Sequence, residues 1–186
     1  MTHSPSEQSH LFPEERQGEV PVALRQTWET PKLLFTHLDD TFKFTLDVAA
    51  ETHNAKAPNF YTWQQDGLKQ PWGPGQRVWC NPPFKTIQPW VVKGLHAMRE
   101  LDTLSVFLVP ASVDTSWFHK IVMPHSLWWL FQGRINFRPP SNAVKNDSGP
   151  SFGCMLILMD PKEHRSGFAG SRCPKTGRVL FDATGV

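Results

Sequence analysis

Arg77-Val78-Trp79-Cys80-Asn81-Pro82-Pro83-Phe84 joins a short apolar segment, which reads as a buried strand, to a loop that two consecutive prolines make stiff. Each proline fixes φ near −65° and lacks an N–H, and Pro82 biases Asn81 toward an extended conformation. Such a loop presents acceptors without presenting many donors. The side-chain oxygen of Asn81 and the main-chain carbonyl of Pro82 are two acceptors that could flank one exocyclic amine, and Phe84 adds an apolar face for a planar ring. The same residues also read as a plain Pro-Pro turn after a buried strand. The sequence on either side decides between these.

Outward from that strand, apolar runs alternate with helical stripes. Thr30-Pro31 reads as a hydroxyl cap followed by proline in the first turn, opening a helix to about Leu38 with Leu33, Leu34 and Phe35 on its apolar face. Residues 42–46 alternate and end at Asp47, which predicts a strand with that aspartate at its carboxyl end and the small Ala49 and Ala50 just beyond. A weaker strand is predicted over 59–62, then the Asp66-Gly67-Leu68 turn. Ile87, Trp90, Val91, Leu95 and Met98 fall on one stripe of a helix over 86–101. Residues 103–109 form a continuous apolar run, the pattern of a strand buried on both faces. Asp114 is read as the cap of a helix through Met123. Residues 127–131 and 152–159 are two more strands, separated by a long polar, Pro-rich linker, and residues 161–186 carry no firm pattern.

Strands alternating with helices predict an α/β sheet covered by helices on both faces, and ligands of such sheets sit at the carboxyl ends of the strands. Asp47, Asp66 and Asn81 are each expected at or beside such an end. They should converge on one cleft.

With 186 residues, 39% of them hydrophobic, the chain is sized for one core. We divide it into a flexible tail (1–24), a single folded domain (25–160) and a C-terminal extension (161–186). The net charge of +2 permits a polyanionic partner without requiring one. There is neither an apolar run of membrane-spanning length nor a signal-peptide pattern, so the cytoplasm is the expected compartment. Three widely spaced cysteines read as buried free thiols, and the eight histidines lack metal-ligand spacing, so no metal is expected.

Taken in order, Trp28-x-Thr30-Pro31, Leu46-Asp47-Val48-Ala49-Ala50, Asp66-Gly67-Leu68 and Asn81-Pro82-Pro83-Phe84 resemble the phage-type DNA N-6-adenine methyltransferases, a Dam-like family of small single-domain enzymes. Leu108-Val109-Pro110, Trp117-Phe118-His119 and Gly133-Arg134-Ile135-Asn136-Phe137 also look like its later segments, so the resemblance spans about residues 27–159. It implies a Rossmann-like class I methyltransferase sheet, S-adenosylmethionine as cofactor and double-stranded DNA as partner of a monomeric enzyme. By that resemblance Thr30 and Pro31 lie near the methionine part of the cofactor. Asp47, Ala49 and Ala50 line its pocket, and Asp66 accepts from its adenine amine. Asn81, Pro82, Pro83 and Phe84 hold the target base. Lys85, Arg134, Arg138 and Lys145 are the candidates for phosphate contacts. The wider methyltransferase fold usually carries a glycine-rich turn after its first strand, whereas this chain has Asp47-Val48-Ala49-Ala50.

Residue by residue, plainer roles stand beside these: turn or cap residues for Asp47 and Asp66, core for Trp79, Trp90 and Trp117, a solvated charge for Arg134. Methylation of RNA adenine or of a protein glutamine amide fits the Asn-Pro-Pro-aromatic loop too. A non-catalytic nucleic-acid-binding relative is the reading from a different class.

Overall fold

Alternating side chains along the central strands bury both faces of one sheet, in a computed structural model that describes residues 29–138 and 152–182. In chain order the elements are α1 (Lys32–Phe42), β1 (Leu46–Asp47), β2 (Asn59–Phe60), β3 (Arg77–Cys80), α2 (Ile87–Leu101), β4 (Leu104–Pro110), a helical segment α3 over residues 116–125, β5 (Leu127–Phe131), β6 (Cys154–Met159), β7 (Gly167–Arg172) and β8 (Val179–Asp182). The strand order is β2-β1-β3-β4-β6-β5-β7-β8. Strands β2, β1, β3 and β4 pair in parallel. β6 runs antiparallel to both of its neighbours, β4 and β5, while β7 returns to parallel pairing with β5 and β8 reverses again.

Period-two alternation explains how one run of apolar residues serves two layers. Trp79, Val106, Leu108, Trp129 and Leu156 pack with Leu34, Phe35 and Leu38 of α1. Val78, Cys80, Phe107, Val109, Met155 and Ile157 point the other way, against Ile87, Trp90 and Val91 of α2 and Phe118 and Val122 of α3. Every residue of β4 and β6 is buried, as expected of strands covered on both faces. Cys80 and Cys154 are buried free thiols and Cys173 is a half-buried one. Trp79, Trp90 and Trp117 belong to the core.

Several expectations require correction. The strand read over 42–46 begins only at Leu46, because α1 continues to Phe42 and then reverses. Lys43 adopts left-handed φ of 51°, its N–H donates to the Asp39 carbonyl (2.7 Å), and Phe44 N–H donates to the Asp39 carboxylate (2.8 Å). The alternating burial of Phe42 and Phe44 is that of a helix end folding back, which mimics a strand. Arg77 Nε secures this end by donating to the Phe42 carbonyl. Thr30 forms no cap hydrogen bond; Pro31 occupies the N-cap position. Asp114 does not cap α3 either, which begins at residue 116 and is π-helical over Phe118–Val122. The strand read over 59–62 is confined to Asn59–Phe60.

Beyond residue 160 the chain adds β7 and β8 to the same sheet. The sequence of β7 is poor in strand formers: Gly167 and Gly170 have φ of 125° and 121°, a region few other residues adopt. No described helix is long and apolar enough to cross a membrane. The segment read as a tail (1–24) and Lys145 lie outside the described residues.

The α2 layer approaches β4 through Gly94, where an added Cβ would lie 2.4 Å from Cζ of the fully buried Phe107. Gly94→Ala is therefore expected to destabilise the protein by about 1–3 kcal/mol through overpacking, despite a gain of ~1 kcal/mol in helix propensity. Urea unfolding checks this, and an unchanged or raised midpoint would mean that the layers can separate freely.

Candidate functional site

Parallel pairing of Leu46 with Val78 and of Asp47 with Trp79 brings the carboxyl ends of β1 and β3 side by side. Val48 N–H extends the pairing by donating to the Trp79 carbonyl (3.1 Å). On the other flank Tyr61 N–H donates to the Asp47 carbonyl (2.9 Å) and Ala50 N–H to the Tyr61 carbonyl (3.0 Å). Three strand ends thus open onto one cavity of about 780 Å³, a volume suited to a nucleoside-sized ligand. Val48, Ala49 and Ala50 form one wall, Tyr61, Trp63 and Asp66 to Leu68 a second, and Asn81, Pro83 and Trp90 a third.

Asp66 enters this wall in a left-handed conformation, φ 54°. Its carboxylate accepts from its own loop, Leu68 N–H at 3.2 Å, and pairs with Lys69 at 3.1 Å. The hydrogen bond from the Lys69 ammonium holds this carboxyl below its usual range, so it is an anion and a pure acceptor at neutral pH. The loop can lie on the end of β1 only because Gly67 has no side chain: a Cβ there would sit 2.0 Å from the Val48 carbonyl oxygen.

Asp47 behaves differently. It is 3% exposed, and its two oxygens accept from Ala49 N–H (3.3 Å) and Lys56 N–H (3.1 Å). Its carboxylate lies outside the large cavity and borders a small polar cleft of about 20 Å³, with Glu29, Thr30, Lys56 and Asn81 around it. Lys56 Nζ is ion-paired to Glu29. Burial pushes the Asp47 carboxyl up to about 6, against the opposing pull of the two amides and Lys56.

The Asn81–Phe84 loop has two sides. Asn81 Nδ2 donates to Thr30 Oγ1 at 3.4 Å, and the Pro83 carbonyl accepts from Thr86 N–H at 3.0 Å, closing the turn into α2. Asn81 and Pro83 face the cavity. Phe84 instead packs near-perpendicular to Phe137 (5.9 Å, 70°) and Phe152 (5.5 Å, 82°). Lys85, next to Phe84 in the chain, and Arg134 and Arg138, on the segment that carries Phe137, are exposed. Arg138 is tied to Glu29 by a pair of backbone hydrogen bonds, Glu29 N–H to Arg138 O (2.8 Å) and Arg138 N–H to Glu29 O (2.9 Å). Pro82 is buried, and neither it nor Pro31 lines the cavity.

Of the residues expected to hold cofactor or base, Ala49, Ala50, Asp66, Asn81 and Pro83 line this cavity, whereas Thr30, Pro31, Asp47, Pro82 and Phe84 do not, and Glu51, Tyr61, Trp63 and Trp90 line it without a signal in the sequence. Trp90 belongs to the core, as expected, and also lines the cavity. Trp63, 75% exposed, carried no pattern that could reveal it. The Lys56–Glu29 pair joins residues with no shared period. Among the described residues, no group of histidine, cysteine, aspartate and glutamate is arranged to hold a metal ion.

A family model described as DNA N-6-adenine-methyltransferase (Dam) matches residues 17–176. Two phage proteins, each named DNA N-6-adenine-methyltransferase, are similar to the chain. The one from Escherichia phage T1 is 33% identical over 100 residues, 53% of this chain and 42% of that protein. The one from Haemophilus phage HP1 is 29% identical over 141 residues, 74% of this chain and 80% of that protein. The match thus spans less than half the length of the T1 protein.

The raised Asp47 carboxyl makes folding take up a proton between its unfolded value of 3.8 and about 6. Its contribution to stability is then greatest below pH 4 and is lost as pH rises through 6, by ~3 kcal/mol. Urea unfolding of the wild type and Asp47→Asn from pH 4 to 7 should show the wild type losing that much more than the variant. Parallel pH profiles would remove Asp47 as the cause.

Proposed function

Because the chain belongs to the DNA N-6-adenine-methyltransferase family, we propose that it transfers a methyl group from S-adenosylmethionine to the exocyclic amine of adenine in double-stranded DNA. The observation that carries this reading is the position of the stiff Asn81–Phe84 loop, with a nucleoside-sized cavity on one side and the Phe84–Phe137–Phe152 aromatic cluster on the other. The strand order supports the Rossmann-like class I methyltransferase fold: parallel β2-β1-β3-β4, then β6 reversed between β4 and β5.

The cavity fits the cofactor chemically. Val48, Leu68 and Trp90 offer apolar walls to a purine, and anionic Asp66 offers an acceptor to its amine. Ala49 and Ala50, the smallest side chains available after glycine, let the β1 end approach the ligand. Thr30, followed by Pro31, borders the neighbouring small cleft, which shares Ala49 and Asn81 with the large cavity, and we assign the methionine part to that end of the large cavity. Asp47 supports the site from behind by fixing the loop between Ala49 and Lys56. When bound, S-adenosylmethionine supplies an electrophilic methyl group on a sulfonium centre.

The residues of the chain then have to orient a poor nucleophile, an amine whose lone pair is delocalised into the ring. The Asn81 oxygen, with two lone pairs, and the Pro82 carbonyl accept from that amine and stabilise the positive charge that develops on it. Thr30 holds the amino end of the Asn81 amide, so the oxygen end is the one turned to the substrate. Holding the partners about 3–3.5 Å apart in line supplies much of the acceleration. Buried Cys80 takes no covalent part; burial raises its thiol well above the ordinary range.

A paired adenine must leave the duplex to reach this loop, at a cost of about a few kcal/mol. Phe84, with Phe137 and Phe152, forms the apolar wall against which it would rest, and stacking offsets roughly 1–3 kcal/mol of that cost. Lys85, Arg134 and Arg138 supply phosphate contacts that set affinity and salt dependence without reading sequence. Lys145 completes this set by sequence alone. We place the enzyme in the cytoplasm, acting as a monomer.

Transfer of a labelled methyl group to unmethylated duplex DNA, with N-6-methyladenine in the nucleoside digest, tests the reaction; label in RNA or protein alone would redirect the substrate. Asn81→Ala is expected to lower kcat about 100- to 1,000-fold with cofactor binding retained. Asp66→Ala is expected to raise the cofactor Kd by about 10- to 100-fold, and calorimetry on both variants separates the two roles.

A further inference from the structure

The loop that carries Asp66 is held from behind by a side chain that lies outside the cavity wall. Lys93, on α2, extends its ammonium to the carbonyls of Leu68 and Gln70, each at 2.6 Å. The same nitrogen lies 5.5 Å from the ring centre of Trp72. Trp72 is fully buried, and its indole N–H donates to the Gly67 carbonyl at 2.8 Å. Two side chains thus capture three carbonyls of the short stretch that follows Asp66.

This arrangement matters because Asp66 has no regular strand or helix to hold it. A left-handed conformation is disfavoured for most residues with a Cβ, less so for aspartate, and the contacts around the turn decide how firmly it is kept. Lys69, the other cation near Asp66, is highly exposed, so the ion pair it makes is a weak constraint. Lys93 is half-buried and makes two short, charge-assisted hydrogen bonds to main-chain oxygens, which constrain the backbone itself. Its charge also attracts the Asp66 carboxylate without touching it.

We propose that Lys93 is a positioning residue for the cofactor site: by clamping the carbonyls of Leu68 and Gln70 it keeps Asp66 in the left-handed turn that puts its carboxylate in the cavity wall. This rests on the assignment of Asp66 to the cofactor made above. A lysine that only stapled helix to loop would affect stability and spare the affinity of the folded enzyme. A positioning lysine acts on affinity through Asp66.

The test is a double-mutant cycle on the full chain, with calorimetric titration of S-adenosylmethionine and steady-state kinetics on duplex DNA. Lys93→Met, which keeps the length of the side chain and loses its donors, is expected to raise the cofactor Kd about 10-fold. At saturating cofactor its kcat should stay within about 2-fold of wild type. On an Asp66→Ala background the same substitution should add less than about 2-fold to Kd, because its effect passes through the missing carboxylate. Wild-type affinity in Lys93→Met, with weakened binding in Asp66→Ala, overturns the role of Lys93 and leaves the assignment of Asp66 standing. Wild-type affinity in Asp66→Ala overturns that assignment and this inference with it. Effects that multiply in the double variant also overturn the inference, since Lys93 would then act independently of Asp66. Should Lys93→Met not yield folded protein, Lys93→Gln, neutral and shorter, takes its place in the cycle under the same criteria.

Discussion

Parallel pairing of β1 with β3 is the constraint on which the candidate site depends, because it aligns two loops that lie far apart in the sequence. β1 contributes only Leu46 and Asp47, yet each has a fixed partner in β3, Val78 and Trp79. A slip of one residue would turn Trp79 from the α1 layer to the α2 layer and carry Asn81 away from Ala49. The apolar layers prevent that slip: Trp79 is in contact range of Phe35 and Phe44 on one face, while Val78 and Cys80 are buried on the other. Core packing therefore sets the register, and the register sets which side chains border the cavity.

Polar groups then shape what the register has brought together. The buried Asp47 carboxylate takes the two N–H groups of the loop between Ala49 and Lys56, so that the alanine turn closes over β1 without the glycines that related folds use. A buried anion is tolerated only with such partners, and even so its proton affinity is raised. Asp66, on the opposite wall, is the reverse case, an exposed anion stabilised by a cation and offered to the cavity. Two aspartates that read alike along the chain thus stand in different places, one inside the scaffold and one on the cavity side.

The Asn81–Phe84 loop separates two environments by alternating its side chains. Asn81 and Pro83 face the cavity, and Phe84 joins Phe137 and Phe152 on the other side. Rigid prolines make such a partition stable, since a flexible loop could rotate Phe84 into either space. The backbone bridge between Glu29 and Arg138 ties the start of the described chain to the segment that carries Phe137, close to the Thr30–Asn81 hydrogen bond.

The sequence by itself determined the mixed α/β class of the fold and pointed to part of the cavity lining, Ala49, Ala50, Asp66, Asn81 and Pro83. The α2 stripe, the runs that become β3, β4, β5 and β6, and the Asn81–Phe84 loop were all legible, because periodicity and proline chemistry act locally. It misled where local pattern has two causes: the alternation of Phe42 and Phe44 belongs to a helix reversal, and Thr30 serves Asn81 where a helix cap was expected. It showed no firm pattern beyond residue 160: β7 is glycine-rich and held by its neighbours more than by its own propensity, and β8 is a short apolar run that pairs with β7. Only the tertiary structure decided which aspartate faces the cavity, that Trp63, Tyr61 and Glu51 line it, and that Lys56 pairs with Glu29 and Lys93 holds the Asp66 loop. Those pairings join residues up to 27 positions apart. No period in the chain can announce them, because their geometry exists only after the sheet has set its register and the helices have packed upon it.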